Sequence, residues 1–166
     1  MMPALNKSMN VICAWIDQTP LSQFIQVHSW VVPTVQTVHI VAIAVVASSI
    51  LMIDLRLIRV FWADRPAQAA LSRFSPFVWW PLLVLLTTGA IMIIGEPVRA
   101  LKNPAFQLKM ALLIAALIVT ALMQVLMRRN PALADQGGGR APAIAVVSML
   151  LWSAIIFAGR WIAYYA

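Results

Sequence analysis

Apolar residues dominate four stretches of the chain, and each stretch is long enough to form one membrane-spanning helix. Spanning a bilayer takes about 20 mainly apolar residues in helical conformation. The runs are continuous rather than alternating, and they exceed the roughly 10 residues of a barrel strand, so helices are favoured over strands. We therefore predict four spans, at about residues 32–53, 77–96, 105–127 and 142–163.

This pattern predicts an all-α integral membrane protein, a four-transmembrane-helix bundle over residues 31–166. The composition agrees, because 63% of the residues are hydrophobic and 10% are charged, with a mean hydropathy of +0.89. An ordinary water-soluble domain is excluded by these values. In residues 1–30, apolar positions alternate with polar ones and with Pro20, which predicts a short interfacial helix, or two, lying along the membrane surface.

Proline residues indicate where the predicted spans begin and end. Pro76 and Pro81 are expected to open the second span, and Pro97 to end it. Pro104 precedes the third span, and the polar segment 130–142 separates the third span from the fourth.

Basic residues give the chain a formal net charge of +7, and they concentrate in two connections between spans. A charge of this size suggests nucleic acid in a soluble protein, but here it indicates membrane topology. By the positive-inside rule, both connections face the cytoplasm of a bacterial inner membrane, and both chain termini face the periplasm. The expected partner is therefore the lipid bilayer and not nucleic acid. The residues concerned are Arg56, Arg59, Arg65 and Arg73 in the first connection, and Arg128, Arg129 and Arg140 in the third.

Ionisable side chains inside a span are costly, so those that interrupt the apolar pattern are candidate functional residues. The main ones are His39, Lys109 and Arg160. With a rise of ~1.5 Å per residue, His39 and Lys109 lie at nearly the same depth, because the first and third helices enter from the same face. The outer half of the bundle is therefore predicted to contain a polar cluster. It includes these residues together with Met92, Glu96 and Met110.

Each of these residues also has a purely structural interpretation. Lys109 and Arg160 can extend their charged ends to the lipid headgroups. His39 needs a hydrogen-bond partner at its depth, such as Gln36, or else a metal. Lys109 shares a helix face with the small Ala116, which predicts that this face is buried.

The second histidine, His28, is expected to be an interfacial residue. One helix cannot present both His28 and His39 to the same haem, because the two residues are about 16 Å apart along its axis. Ligation by two histidines would therefore require His39 from each of two protomers. Ligation by His39 with a methionine or with Lys109 is possible within one chain.

Asp54 is the acidic residue at the inner end of the first span. It is flanked by Arg56 and Arg59, and Arg73 and Arg128 lie at neighbouring helix ends. This arrangement predicts a structural ion-pair clamp. In the second span, T-T-G-A at residues 87–90 supplies small and hydroxyl side chains that permit close helix approach.

Four segments carry a resemblance to known proteins: W-V-V-P-T-V-Q-T-V-H, D-L-R-L, N-P-A-F-Q-L-K-M-A-L-L and L-W-S-A-I-I-F-A-G-R-W-I-A-Y. They resemble an uncharacterised family of small bacterial four-span membrane proteins, over nearly the whole chain from Trp30 onward. The chain has a histidine in the first span, an arginine near the inner end of that span and a lysine at the start of the third. In these features it is distantly similar to four-helix protoporphyrinogen oxidases of the HemJ type and copper-resistance membrane proteins of the CopD type. The HemJ resemblance implies haem b near His39 and Lys109. Oxidase activity is not carried over, because further histidines are lacking and D-L-R-L differs from the HemJ-type motif.

Three functions remain open from the sequence. The preferred one is a small haem-b-type electron-transfer protein that works with a quinone or a partner. In this interpretation His39 is the axial metal ligand, Lys109 and Arg160 neutralise propionates or a quinone oxygen, and Met92 and Met110 complete the site. The second is a non-catalytic accessory subunit of a larger membrane complex. The third is a small carrier or proton-transfer protein, which four helices permit only in a homo-oligomer.

Overall fold

The computed structural model describes residues 2–131 and 139–164, and it describes side chains from residue 10 onward within these ranges, except those of Arg140 and Ala163. This part of the chain is helical and contains no strand. The predicted all-α class is therefore confirmed. The helices are α1 (Met2–Asp17), α2 (Pro20–Val27), α3 (Val31–Leu57), α4 (Ala67–Gly95), α5 (Pro97–Leu101), α6 (Pro104–Arg129) and α7 (Arg140–Trp161), followed by a 3-10 turn (Ile162–Tyr164).

Four of these helices, α3, α4, α6 and α7, are long and apolar enough to cross a membrane. Their bounds agree with the predicted spans except at the start of α4. That helix begins at Ala67, and Pro76 and Pro81 lie inside it, so the prediction that these prolines open the span is wrong. The early turns of α4 are helical because Ala70 and Leu71 pack into the core. Spanning helices tolerate internal prolines when neighbouring groups satisfy the freed carbonyls.

The four spanning helices form two antiparallel hairpins. α3 packs along α4, α6 packs along α7, and the hairpins meet mainly where α3 contacts α7. The contact between α4 and α6 is small. One end of the bundle contains the loop between α3 and α4 and the start of α7, and we call it the arginine-rich end. The opposite end contains α1, α2 and α5, and we call it the capped end.

The apolar core fills the middle of the bundle and its arginine-rich end. On α3 it runs from Val46 to Leu57, so His39 lies beyond it on the capped side. The third of the bundle next to the capped end, which contains His39, therefore lies outside this core cluster. The buried residues of this core are Val46, Ile50, Ile53, Leu57, Ala67, Leu71, Val78, Ala116, Met123, Met127, Ala141, Ala145, Trp152 and Ile155.

The helices α1 and α2 pack against the end of α4 and against α5. Thr19 caps α2 by accepting a hydrogen bond from the Ser22 amide, and Pro20 is suited to the first turn. Ser22 Oγ donates to the Ile94 carbonyl at 2.7 Å. A side chain at Gly95 would meet Ile25 Cγ2 at 2.8 Å, so glycine permits this close approach. The outward side of this cap is apolar, with Trp15 and Phe24 among its exposed residues.

Candidate functional site

His39 projects from α3 toward α4, where its side chain is half-buried. Its Nδ1 lies 2.7 Å from the Thr88 hydroxyl oxygen. A Cβ atom at Gly89 would lie 3.6 Å from His39 Cε1, so this glycine keeps the space beside the ring open. The sequence analysis suggested Gln36 as the partner of His39, but Gln36 is exposed and Thr88 takes that position.

The Thr88 hydroxyl determines which nitrogen of His39 carries the proton. Thr88 Oγ1 donates its own hydrogen to the Val84 carbonyl at 2.6 Å. The oxygen can therefore only accept from His39, which makes Nδ1–H the donor. The neutral ring then has its lone pair on Nε2, and Nε2 has no hydrogen-bond partner among the described residues. Nε2 is thus available to ligate a metal or to accept a proton.

Lys109 reaches the same region from the other hairpin. It lies across Gly159 of α7, where an added Cβ would be 3.5 Å from Lys109 Nζ. The helices are held in this register by Asn103, which caps α6 and donates to the Ile162 carbonyl at 3.1 Å. The face of α6 that carries Lys109 is the buried one, because Ala116 is fully buried on it.

The imidazole of His39 and the ammonium of Lys109 are close enough to interact electrostatically. The structure thus brings together one residue from each hairpin, and both are half-buried. Met92 of α4 and Met110 of α6 are also half-buried, and both lie toward the capped ends of their helices. The region contains a neutral imidazole nitrogen and a cation, and it lies outside the apolar core cluster.

Three other residues do not join this cluster. Arg160 is exposed, and its guanidinium lies 5.7 Å from the centre of the Tyr164 ring. Glu96 is exposed and forms an ion pair with Arg99 at 3.0 Å. His28 lies between α2 and α3, with its ring 4.2 Å from that of Phe24.

Among the described residues, no group of three or more histidine, cysteine, aspartate or glutamate side chains is arranged to hold a metal ion. A metal at this site would therefore need most of its ligands from another source. Haem meets this requirement, because its porphyrin supplies four nitrogen ligands and the protein supplies axial ones.

The contacts that position His39 and Lys109 were not predicted from the sequence. The segment T-T-G-A was predicted to permit close helix packing. In the structure it provides Thr88, which accepts the hydrogen bond from His39, and Gly89, which lies beside the His39 ring. Gly159 received no role at all. Its signal was a lone glycine next to Arg160, which does not by itself indicate a lysine on a neighbouring helix.

Asp54 differs from its predicted role in an arginine clamp. Its carboxyl group is fully buried and forms no ion pair with an arginine side chain that the structure describes. Arg73 instead lies over the Trp62 ring at 5.8 Å, and Arg128 is exposed. The neighbour of Asp54 is Ser148 of α7.

Comparison with known proteins identifies the family of this chain. No curated protein and no solved structure matches it. The distant similarity to proteins of the HemJ and CopD types stays a prediction, because these comparisons do not show it. The sequence profile of a family of unknown function, DUF6644, matches residues 13–165. The chain therefore belongs to the DUF6644 family.

Proposed function

We propose that this protein is a small membrane electron-transfer protein that binds haem b near the capped end of its bundle, with His39 as axial ligand. One observation carries the proposal. The hydrogen bond from His39 Nδ1 to Thr88 leaves the Nε2 lone pair available in a half-buried setting. A histidine ligand of a metal is commonly oriented in this way, with its other ring nitrogen donating to an oxygen.

The surrounding side chains fit this cofactor in charge and chemistry. Lys109 offers an ammonium group to a haem propionate, an interaction that would neutralise both charges away from bulk water. Met92 and Met110 are the thioethers in this part of the bundle from which a second axial ligand could come. When bound, haem b supplies reversible one-electron transfer. The protein residues hold it, orient it and set its electrostatic surroundings.

The visible spectrum of the purified protein tests this proposal. Protein made with ample haem supply is expected to show a Soret band, and His39→Ala is expected to abolish it because the axial ligand is lost. His28→Ala is the matched control, since His28 is the only other histidine and lies away from the cluster. A well-folded but colourless wild-type protein would refute haem binding. Equal loss of the band in both variants would refute the assignment of His39.

A quinol is the second candidate ligand, and the same tautomer favours it. The Nε2 lone pair of His39 can accept a hydrogen bond from a quinol hydroxyl, while Lys109 can donate to an oxygen of the oxidised ring. This alternative predicts a protein without a Soret band from which quinone can be extracted with solvent. The extract of His39→Ala should then contain less quinone than the extract of His28→Ala.

We also propose that the protein lies in a bacterial inner membrane with its arginine-rich end in the cytoplasm and both termini in the periplasm. The distribution of exposed arginines, such as Arg128 and Arg129, supports this orientation. A reporter fused after Arg65 is expected to report a cytoplasmic location, and one inserted near Lys102 a periplasmic location. The reverse result would require the opposite orientation.

A further inference from the structure

A second polar group is buried at the arginine-rich end, far from His39. Asp54 lies fifteen residues after His39 on α3, about 22 Å along the helix axis. Val46 and Ile50, at 1% and 2% exposure, separate the two positions on the same helix. The two polar regions are therefore divided by an apolar layer, and the function proposed above makes no use of Asp54.

The Asp54 carboxyl is enclosed completely. Its exposed fraction is 0%, and neither of its oxygens has a hydrogen-bond partner among the described residues. Ser148 of α7 is near enough to interact with this carboxyl group and is also fully buried. The Ser148 hydroxyl is likewise buried and has no hydrogen-bond partner within the described part of the chain. Together they place two acceptor oxygens and one hydroxyl in an apolar setting.

The basic side chains that the structure describes on the surrounding helices either contact groups other than Asp54 or are exposed. Arg56, on α3 itself, donates from Nε to the Arg65 carbonyl at 2.6 Å. Arg73 of α4 is exposed over the Trp62 ring, and Arg128 and Arg129 of α6 are exposed. On α7 the nearest basic residue in sequence is Arg140, whose side chain lies outside the described set. No described cation pairs with Asp54.

An ionised carboxylate buried without a counter-charge is strongly unfavourable, so this site must take up positive charge. Asp54 and Ser148 offer three oxygens, whereas hard metal cations take about six or more oxygen ligands. A proton needs only one oxygen to bind. It would come from water at the arginine-rich end, form an O–H bond with one carboxyl oxygen, and leave that O–H to donate to Ser148 Oγ.

We propose that Asp54 and Ser148 form a proton-binding site in the arginine-rich half of the bundle, separate from the His39 region. The bound proton makes Asp54 a neutral acid and satisfies the Ser148 hydroxyl. The apolar layer prevents direct proton transfer from this site to His39, so exchange takes place at the arginine-rich end. This inference does not depend on haem or quinone binding.

Infrared spectroscopy of the full-length protein in lipid nanodiscs tests the site. Near neutral pH, wild type is expected to show the C=O band of a protonated carboxylic acid, and Asp54→Asn is expected to lack it. Asp64→Asn is the matched control, because Asp64 is an exposed loop residue with an 83% exposed side chain, and it should keep the band. Ser148→Ala should move the band to higher frequency, since the acid then loses its hydrogen-bond acceptor.

Ser148→Ala also keeps the test decisive if Asp54→Asn does not fold. Absence of the band in wild type near neutral pH would overturn the proposal, as would a band unaffected by Ser148→Ala. The infrared spectrum is first recorded with choline as the only buffer cation and then recorded again with sodium in its place. Loss of the wild-type band in sodium would identify a metal-cation site and would overturn the assignment to a proton.

Discussion

Trp152→Ala is expected to lower the free energy of unfolding by about 3 kcal/mol, the largest effect on stability that we predict for a single site. Trp152 is 7% exposed and belongs to the apolar core of the bundle. Its Nε1 donates to Thr120 Oγ1 at 3.3 Å, so the change also removes a buried hydrogen bond between α7 and α6. Truncation leaves a cavity and removes many dispersion contacts, and both losses persist when lipid is the solvent.

Unfolding by sodium dodecyl sulfate in mixed micelles measures this loss. Trp80→Ala is the matched control, because Trp80 is 72% exposed on the outer surface of α4 and gives up little contact with protein. Its effect should stay below about 1 kcal/mol. Similar losses in the two variants would show that Trp152 does not lie in the packed core.

Lys109→Met is expected to give the largest change in cofactor binding after loss of His39 itself. Methionine keeps much of the length and apolar packing across Gly159 but removes the positive charge. If Lys109 neutralises a propionate, haem retention should fall about tenfold, which corresponds to ~1.4 kcal/mol. The reduction potential should fall by tens of millivolts, because a nearby cation favours the form that carries the extra electron.

Lys102→Met provides the control for charge removal alone. Lys102 is exposed at the end of α5, so haem content and reduction potential should match wild type. Potentiometric titration of the Soret band and competition with a haem-binding protein measure the two quantities. If Lys109→Met has the haem content and the reduction potential of wild type, Lys109 acts as a lipid-facing anchor. The proposed site then consists of His39 with the two methionines.

The sequence by itself determined the class of the protein and the number of its spanning helices. Apolar runs of this length have one stable solution in lipid, because a helix satisfies its backbone hydrogen bonds within the segment. Three of the four helix starts followed from the same pattern. The start of α4 did not, because Ala70 and Leu71 are helical through packing, and Pro76 was therefore given too much weight.

The sequence also identified His39 and Lys109 and placed them at one depth, since depth along a helix depends only on the constant rise per residue. The sequence did not determine whether each of these residues faces the bundle or the lipid. The spans are apolar on nearly all sides, so amphipathic periodicity does not distinguish the buried face from the lipid-facing one. Arg160 had the same standing as Lys109 in the sequence, yet only Lys109 lies between helices.

The tertiary structure alone decided the partners of each polar residue. It paired His39 with Thr88 across 49 positions in the chain and set the tautomer of the ring through the bond from Thr88 to Val84. It also placed Asp54 next to Ser148 rather than in an arginine clamp. Hydropathy and periodicity are local properties of one helix, whereas these contacts arise only when four helices pack together and fix their rotations simultaneously.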